Sequence, residues 1–342
     1  MEKETILPMI EKIQLAHGGG GKLSARLMKD EILSRFGNRP LRNLPDAAEL
    51  SLNAEKIIYS TDSFVVSPYF FPGGNIGELA VYGTVNDICV AGGRPLWLSL
   101  ALIIEEGFPL EQLRQILDST AAAAKRCGVT VVTGDTKVVQ KGHCDGIYMN
   151  TSGIGMKIDG LNLGAKRIKP GDAVIVSGTI GEHGFAVLAA RNGIRTGDSL
   201  LSDCAPLTGL LEQVVPFGDK VKFMRDPTRG GVAAVLNEIA NGTDFGIEIE
   251  QNSIPVSEAV RSVSEMLGIE PLNVACEGRM TLICDQSAAS GILAGFKSLP
   301  EGRGACVIGT VGSSAGTVTM KTITGTRRLI DLPSGELLPR IC

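Results

Sequence analysis

TDSFVVSPYFFPGGNIGELAVYGTVNDICVAGG, residues 61–93, is the stretch on which the fold turns. It begins inside KIIYSTDSFVV, residues 56–66, whose β-branched and aromatic residues predict a strand. It ends on IGELAVYGTVNDICVA, residues 76–91, which predicts a helix stopped by Gly92 and Gly93. Asp87 falls near the C-terminal end of that helix, where the macrodipole disfavours a negative charge by about 0.3–1 kcal/mol. A cation is expected to offset it.

The pattern continues on both sides. PLWLSLALII (95–104), GVTVVTGD (128–135) and GIYMNTSGIGM (146–156) read as strands, and LEQLRQILDSTAAAAKRC (110–127) as a helix ending at Gly128. Residues 158–171 mix Gly, Pro and charge with weak periodicity and mark a linker. Beyond it, residues 172–322 alternate strands (DAVIVSG, GIEIE, MTLICD, ACVIGTVG, TVTMKT) with helices (GFAVLAARNG, LTGLLEQVVPF, GVAAVLNEIANG, VSEAVRSVSEML) in no strict β-α-β rhythm. The expected fold class is α+β, in two domains spanning 46–157 and 172–322. A glycine-loop segment, 1–45, precedes them, and a mobile tail, 323–342, holding two prolines and two glycines follows.

The chain of 342 residues is long enough for two cores, and its net charge of −4 is not set against any basic stretch. Neither nucleic acid nor a membrane is an expected partner. No apolar run approaches the ~20 residues needed to span a bilayer, and MEKETILPMIEKIQ is too charged for a signal peptide, so a cytoplasmic location is expected. The eight cysteines lack regular spacing and any C-x-x-C, which predicts reduced thiols. Cys89, Cys127, Cys284 and Cys306 sit in apolar segments and read as packing residues, and the His143–Cys144 pair is too little for a zinc site.

Five aspartates lie at the edges of apolar segments: Asp46 in PDAAEL, Asp62 in STDSF, Asp87 in VNDIC, Asp135 in TGDTK and Asp226 in RDPTRGG. Any one alone reads as a cap or turn residue. Together, beside glycine-rich loops, they suit magnesium, which takes a few carboxylates and leaves its other positions to water and phosphates. HGGGGK, residues 17–22, supplies Gly19, Gly20 and Lys22 ahead of a helix beginning near Leu23. It is not a Walker A loop, because Leu23 stands where a Ser or Thr would reach the metal. Asp226 to Gly231 opens another helix, and Arg229 adds a phosphate-binding charge.

TDSFVV, GTVNDICVAGG, TGDTKVV and MRDPTRGG, in this order, resemble the superfamily that includes aminoimidazole ribonucleotide synthetase, selenophosphate synthetase and thiamine-monophosphate kinase. HGGGGK, NVACEGRM and the terminal PRIC resemble, more narrowly, the HypE family of hydrogenase maturation carbamoyl dehydratases. The resemblance implies a homodimer paired through a β-barrel of the N-terminal domains, with ATP and magnesium near the interface. It places Asp46, Asp62, Asp87, Asp135 and Asp226 on magnesium or nucleotide phosphates; Asp62, Asp87 and Asp135 are the candidate metal ligands, and which aspartates bind the metal directly stays open. It also implies that Cys342 receives a carbamoyl group from the carbamoyltransferase HypF, that ATP drives its dehydration to a thiocyanate, and that the cyanide passes to iron on the HypC–HypD complex. Lys137 and Glu277 match positions that manage the nitrogen protons.

Twenty residues from Ile323 span up to about 65–70 Å when extended, which gives Cys342 ample reach. Pro333 and Pro339 favour extended backbone suited to a narrow channel. The terminal carboxylate disfavours thiolate formation while Arg340 offsets it, leaving the sign of the net shift open. Two other functions fit the same aspartates: a small-molecule kinase or ligase of this superfamily, and a nucleotide-regulated scaffold that offers its tail as a docking peptide.

Overall fold

The computed structural model describes residues 11–42, 44, 47–196, 199–312, 316–332, 338 and 340–342; the expectations for Asp46, Pro333 and Pro339 lie outside these. The first unit runs α1 (Lys22–Leu27), a π-helical turn (Met28–Leu33), α2 (Ser34–Phe36), β1 (Ile57–Phe64), the short strands β2 (Phe70–Phe71) and β3 (Gly74–Asn75), α3 (Ile76–Val90), β4 (Gly93–Glu105), α4 (Leu110–Cys127), β5 (Thr130–Val139) and β6 (Ile147–Lys157). Its main sheet has the order β1-β6-β4-β5, with only β4 and β5 parallel. The α4 crossover makes that parallel pair possible.

α3 is the helix about which everything packs. Its side chains are apolar on all sides and nearly all of them are buried, so no face is left for water. One side lies on β1 and β6, another on α4, and a third meets α6 (Thr208–Val214) of the second unit. Asn75 caps its first turn, its side-chain oxygen accepting from Gly77 N–H at 2.8 Å. Asn86, 1% exposed, is a buried polar residue within the helix. Its amide donates to the carbonyls of Ala205 and Glu277, both at 3.0 Å, and accepts from Leu207 N–H at 2.8 Å.

The second unit also contains β7 (Ala173–Val176), α5 (Glu182–Arg191), β8 (Val221–Arg225), α7 (Gly231–Asn241), β9 (Ile247–Glu250), α8 (Glu258–Leu267), β10 (Thr281–Cys284), α9 (Gln286–Lys297), β11 (Cys306–Val311), β12 (Val318–Lys321) and β13 (Arg327–Leu329). They form a seven-stranded sheet, β13-β12-β9-β11-β7-β10-β8, antiparallel except for β9 with β12. The connection 158–171 is packed rather than loose: Leu161 and Ile168 are buried, and Gly164 N–H donates to the carbonyl of Lys222. One apolar cluster runs from Ile13 through α3 and α4 into α6 and α9, fusing the two units. Among the described residues no helix is long and apolar enough to cross a membrane.

Two boundaries read from sequence need correction. β5 continues past Asp135, where the strand read from sequence ends, to Val139, and Asp62 likewise lies inside β1. The tail also does not begin at Ile323. Gly325, with φ +85°, turns the chain so that Arg327–Leu329 pair with β12, and Ile330 is anchored by its N–H on the Val318 carbonyl. An edge strand reading Arg-Arg-Leu carries no alternating apolar signal, which hid it. Measured from Ile330, the twelve residues to Cys342 reach at most about 40 Å.

Because Asn86 closes three buried hydrogen bonds across the two units, Asn86→Ala is expected to lower unfolding stability by about 3 kcal/mol. Urea denaturation measures this, and a loss below about 0.5 kcal/mol would show that the joint does not depend on it.

Candidate functional site

Between the units lies a cavity of about 330 Å³, lined by Asp62, Asp87, Asp226, Arg229, Glu277 and Cys342 among others. β1 supplies Asp62. Ser60, Asp62 and Phe64 share the strand face that meets α3, so Asp62 faces Asp87 near the end of that helix. Ser60 Oγ donates to Asp87 Oδ2 at 2.5 Å, and Asp87 stands close enough to the Asp62 carboxyl to help raise it. The cation expected beside Asp87 is not found as an ion pair among the described residues; a hydroxyl and a second carboxyl meet it.

The loop between β8 and α7 supplies Asp226 and Arg229. Gly230 and Gly231 both have positive φ, +75° and +61°, and a Cβ on Gly231 would lie 2.5 Å from the Leu272 carbonyl. Two glycines in succession are therefore required to turn the loop inward. A third segment brings Glu277. Cys276 N–H donates to the Pro227 carbonyl at 2.9 Å, and Glu277 N–H to Asp203 Oδ1 at 3.0 Å. A Cβ on Gly278 would stand 1.9 Å from the Asp203 carbonyl, so the close approach of the two loops needs glycine there too.

The electrostatics are lopsided. Burial and the neighbouring Asp87 raise Asp62 to about 6, and the same two causes raise Asp226 to about 7. Burial, reinforced by Asp226, Asp203, Asp62 and Asp87, pushes Glu277 well above the carboxylate range. Glu277 Oε1 and Asp203 Oδ2 are buried without a hydrogen-bond partner; Asp203 Oδ2 has Arg279 at 3.5 Å. This donor set is short of positive charge and made of hard oxygen, which fits magnesium. Among the described residues no three such side chains are close enough to chelate an ion alone.

Cys342 enters the cavity from the end of the chain. Arg229 beside it favours the thiolate, but burial and Glu277 outweigh that and push the thiol up to about 11. Arg340 does not offset the thiol. It pairs with Asp145 at 2.6 Å and lies 5.9 Å over the Tyr148 ring. Val65 N–H donates to the terminal oxygen of Cys342 at 3.1 Å, and Ser67 N–H to the Arg340 carbonyl at 3.3 Å, an antiparallel pairing of the tail with residues 65–67. Arg191 donates to the carbonyls of Ser67 and Arg340, and His183 Nε2 lies 2.9 Å from the Ile341 carbonyl.

The remaining sequence candidates form a second group. Asp135 and Lys137 on β5 pair with each other at 3.0 Å and are largely exposed. The glycine segment carrying Gly19, Gly20 and Lys22 stands beside β5, where a Cβ on Gly18 would lie 2.9 Å from Val138 N. Register aligns Asp62 with Thr151, Thr151 with Leu100 and Leu100 with Gly134. Asp135 is thus three strands from Asp62, about 14 Å, and points to the opposite face of the sheet. Sequence reading missed Asn86, His183, Arg191, Ser202 and Asp203; SDCAPL, residues 202–207, was the available signal, a polar run closed by proline. A larger groove, about 870 Å³, lies beside α1 and α4, but its buried Glu31 is already paired with Arg35 and Arg114.

The family described as AIR synthase related protein matches this chain twice, its N-terminal domain over residues 45–157 and its C-terminal domain over 169–321. Carbamoyl dehydratase HypE of Rhizobium leguminosarum bv. viciae is 46% identical, over 97% of this chain and 95% of its own. The structure of hydrogenase maturation protein HypE in complex with ATP superposes with a TM-score of 0.92 at 41% identity, covering 96% of this chain and 99% of that one. A HypE–HypF complex gives a TM-score of 0.79 at 47% identity, over 90% and 99%.

Burial lowers His183 from 6.5 to about 4, although its bond to the Ile341 carbonyl opposes the shift. Between those values the unfolded chain binds more protons than the folded one, so stability falls as pH drops from about 6.5 to about 4. His183→Gln should flatten that acid limb in denaturation midpoints taken at pH 7 and pH 5. An unchanged limb would assign it to other groups.

Proposed function

Since the chain belongs to the AIR synthase related family, and within it to the HypE carbamoyl dehydratases, we propose that it uses ATP to dehydrate a carbamoyl group on its own Cys342 to a thiocyanate. The thiocyanate carbon and nitrogen then serve as a cyanide ligand for the iron of nickel–iron hydrogenase, delivered through the HypC–HypD complex. The observation that carries this reading is the docking of Cys342 beside Arg229 and Glu277, whose Oε1 has no other partner. A small-molecule kinase has no use for a thiol in that position.

The chemistry follows from the leaving group. A carbamoyl oxygen does not depart from carbon unaided; taking the γ-phosphoryl group of ATP converts it into phosphate, which does. As the C–O bond breaks and the C≡N bond forms, both nitrogen protons must leave, so a thiocarbamate and ATP give thiocyanate, ADP, phosphate and a proton. Glu277 accepts a nitrogen proton: burial and four neighbouring carboxylates make its ionised form a stronger base than a carboxylate in water. Arg229 steadies charge on the transferred phosphoryl group. Magnesium, held by Asp62 and Asp87 with Asp226 beside them, would supply charge neutralisation at the phosphates. The burial and crowding that raise Asp62 and Asp226 support that assignment.

HypF is the proposed source of the carbamoyl group, as the complex formed by the 47% identical relative suggests. The eight unpaired thiols agree with a cytoplasmic setting. Homodimerisation accounts for the second group of residues. The uncovered face of the four-stranded sheet exposes Ile57, Tyr59 and Ile103, an apolar surface suited to a second copy. Pairing there into a barrel would bring Asp135, Lys137, Gly19, Gly20 and Lys22 of one copy towards the carboxylates of the other, with Asp135 as a further metal ligand.

Incubation with HypF, carbamoyl phosphate and MgATP is expected to give successive carbamoyl and cyano adducts on the C-terminal peptide, read by mass spectrometry. Cys342→Ser should give neither. Glu277→Gln should accumulate the carbamoyl form, with cyano formation slowed on the order of 10²–10⁴-fold; cyano formation at the wild-type rate would remove Glu277 from the reaction. The dimer has a separate test: Lys137→Ala and Glu277→Gln chains, each inactive alone, should regain activity when mixed and allowed to exchange subunits. Failure of mixed dimers to recover would confine both residues to one copy.

A further inference from the structure

His183 is the second residue of α5, is fully buried, and has no place in the proton transfers above. Its ring is hydrogen-bonded at both nitrogens. Nε2 lies 2.9 Å from the carbonyl oxygen of Ile341 and Nδ1 lies 2.8 Å from Ser202 Oγ. Phe71 packs against it edge-on, with ring centroids 5.3 Å apart and planes at 88°.

The direction of each bond follows from what each atom can do. A carbonyl oxygen only accepts, so Nε2 carries the hydrogen. Ser202 Oγ accepts the Cys204 N–H at 3.0 Å and gives its own proton to Nδ1. Burial, which lowers the ring to about 4, keeps it neutral near pH 7, so with the hydrogen on Nε2 it is Nδ1 that accepts from Ser202. Ser202 is fixed in turn, because its own N–H donates to the Pro72 carbonyl at 2.8 Å. Asp203, the next residue, receives the Glu277 N–H. One short segment, 202–204, thus orients both the imidazole that holds the tail and the backbone that carries the proposed base.

The peptide held by His183 is the one that leads into the reactive cysteine. Val65 N–H holds the terminal oxygen of Cys342 from the other side, at 3.1 Å. These two anchors bracket the Cys342 backbone, and its side chain lines the same cavity as Arg229 and Glu277. Without the His183 donor, the Ile341 carbonyl would be buried unpaired among apolar neighbours, which disfavours the docked tail.

We propose that His183 is a positioning residue for the dehydration step: its Nε2–H, held in place by Ser202, fixes the Ile341 peptide and so aims the Cys342 sulfur at Glu277. This rests on Cys342 being the carrier, as proposed above. The role differs from a packing role in what it controls. The docked tail depends on His183, whereas transfer of the carbamoyl group onto a withdrawn tail does not.

The test uses the full chain with His183→Leu, His183→Gln and Ser202→Ala. Each protein is carbamoylated by HypF and carbamoyl phosphate, and conversion to the cyano adduct is followed in a single turnover by mass spectrometry. In parallel, the ligand-free proteins are treated with iodoacetamide and alkylation of Cys342 is timed. His183→Leu is expected to slow dehydration about tenfold or more and to speed Cys342 alkylation by a similar factor, with carbamoylation retained. His183→Gln, which keeps a donor near Nε2, should recover much of both, and Ser202→Ala should fall between. Dehydration and alkylation at wild-type rates in His183→Leu would overturn the proposal. So would equal losses of carbamoylation and dehydration accompanied by a lower melting temperature, the mark of a purely structural role. If His183→Leu does not fold, His183→Gln with Ser202→Ala decides in the same way. If wild-type protein forms no adduct on Cys342, the carrier reading fails, and the alkylation rates still show whether His183 holds the tail.

Discussion

Crowding of carboxyl groups against too few cations is the constraint on which the rest of this structure depends. Asp62, Asp87, Asp203, Asp226 and Glu277 converge around one cavity, with Arg229 and Arg279 nearby. At an effective dielectric of about 20, two like charges 4 Å apart repel by about 4 kcal/mol. Such an arrangement persists only if the scaffold beneath it is stiff. α3 provides that stiffness, being buried on every side, and Asn86 ties it to the loops of the second unit that carry Glu277 and Ala205. Burial first and this repulsion second favour the protonated forms of Asp62 and Asp226, which titrate high. It is also what a divalent cation and a phosphate chain would convert into binding.

The tail answers to the same field. A thiol raised to about 11 by burial and by Glu277 is almost wholly protonated near neutrality, hence a poor nucleophile while docked. Under the proposed reaction this is no handicap. Carbamoylation removes the thiol proton altogether, so the docked site never has to ionise Cys342; it has only to hold an uncharged thiocarbamate beside a base. The nucleophilic step belongs to a withdrawn tail, where the thiol has water around it. The twelve residues from Asp331 to Cys342 give it the length to leave.

Much of this was legible in the sequence because strong local signals agreed with the tertiary structure. The run 76–91 read as a helix, and Asp226 to Gly231 as the opening of another. Asp62, Asp87, Asp226, Arg229, Glu277 and Cys342 were each named from motifs, and the fold brings them to one cavity. The rest was hidden for identifiable reasons. β13 is an edge strand of Arg-Arg-Leu, stabilised by pairing and not by an apolar face. His183 lies in a segment, GEHGFAV, that offers no ligand spacing; its importance comes from a contact 158 residues away. Asn86 looks like a flaw in an apolar helix until its three partners on another unit are known.

Asp135 and Lys137 mark the limit of reading motifs without geometry. As residue types they belong with the other candidates, yet the strand order β1-β6-β4-β5 sets them at the far edge of the sheet. Register then decides their direction. Asp62 lies in one row with Thr151, Leu100 and Gly134, and Asp135 is one residue beyond that row, so its side chain faces away from α3. No rotamer change crosses a sheet. If the second group contributes to the same chemistry as the first, it must do so for a neighbouring copy, and the exposed apolar side chains of Ile57, Tyr59 and Ile103 on that face are where the copy would sit. On the proposed pairing, the open sheet face and the divided site would be one requirement, each copy completing the other.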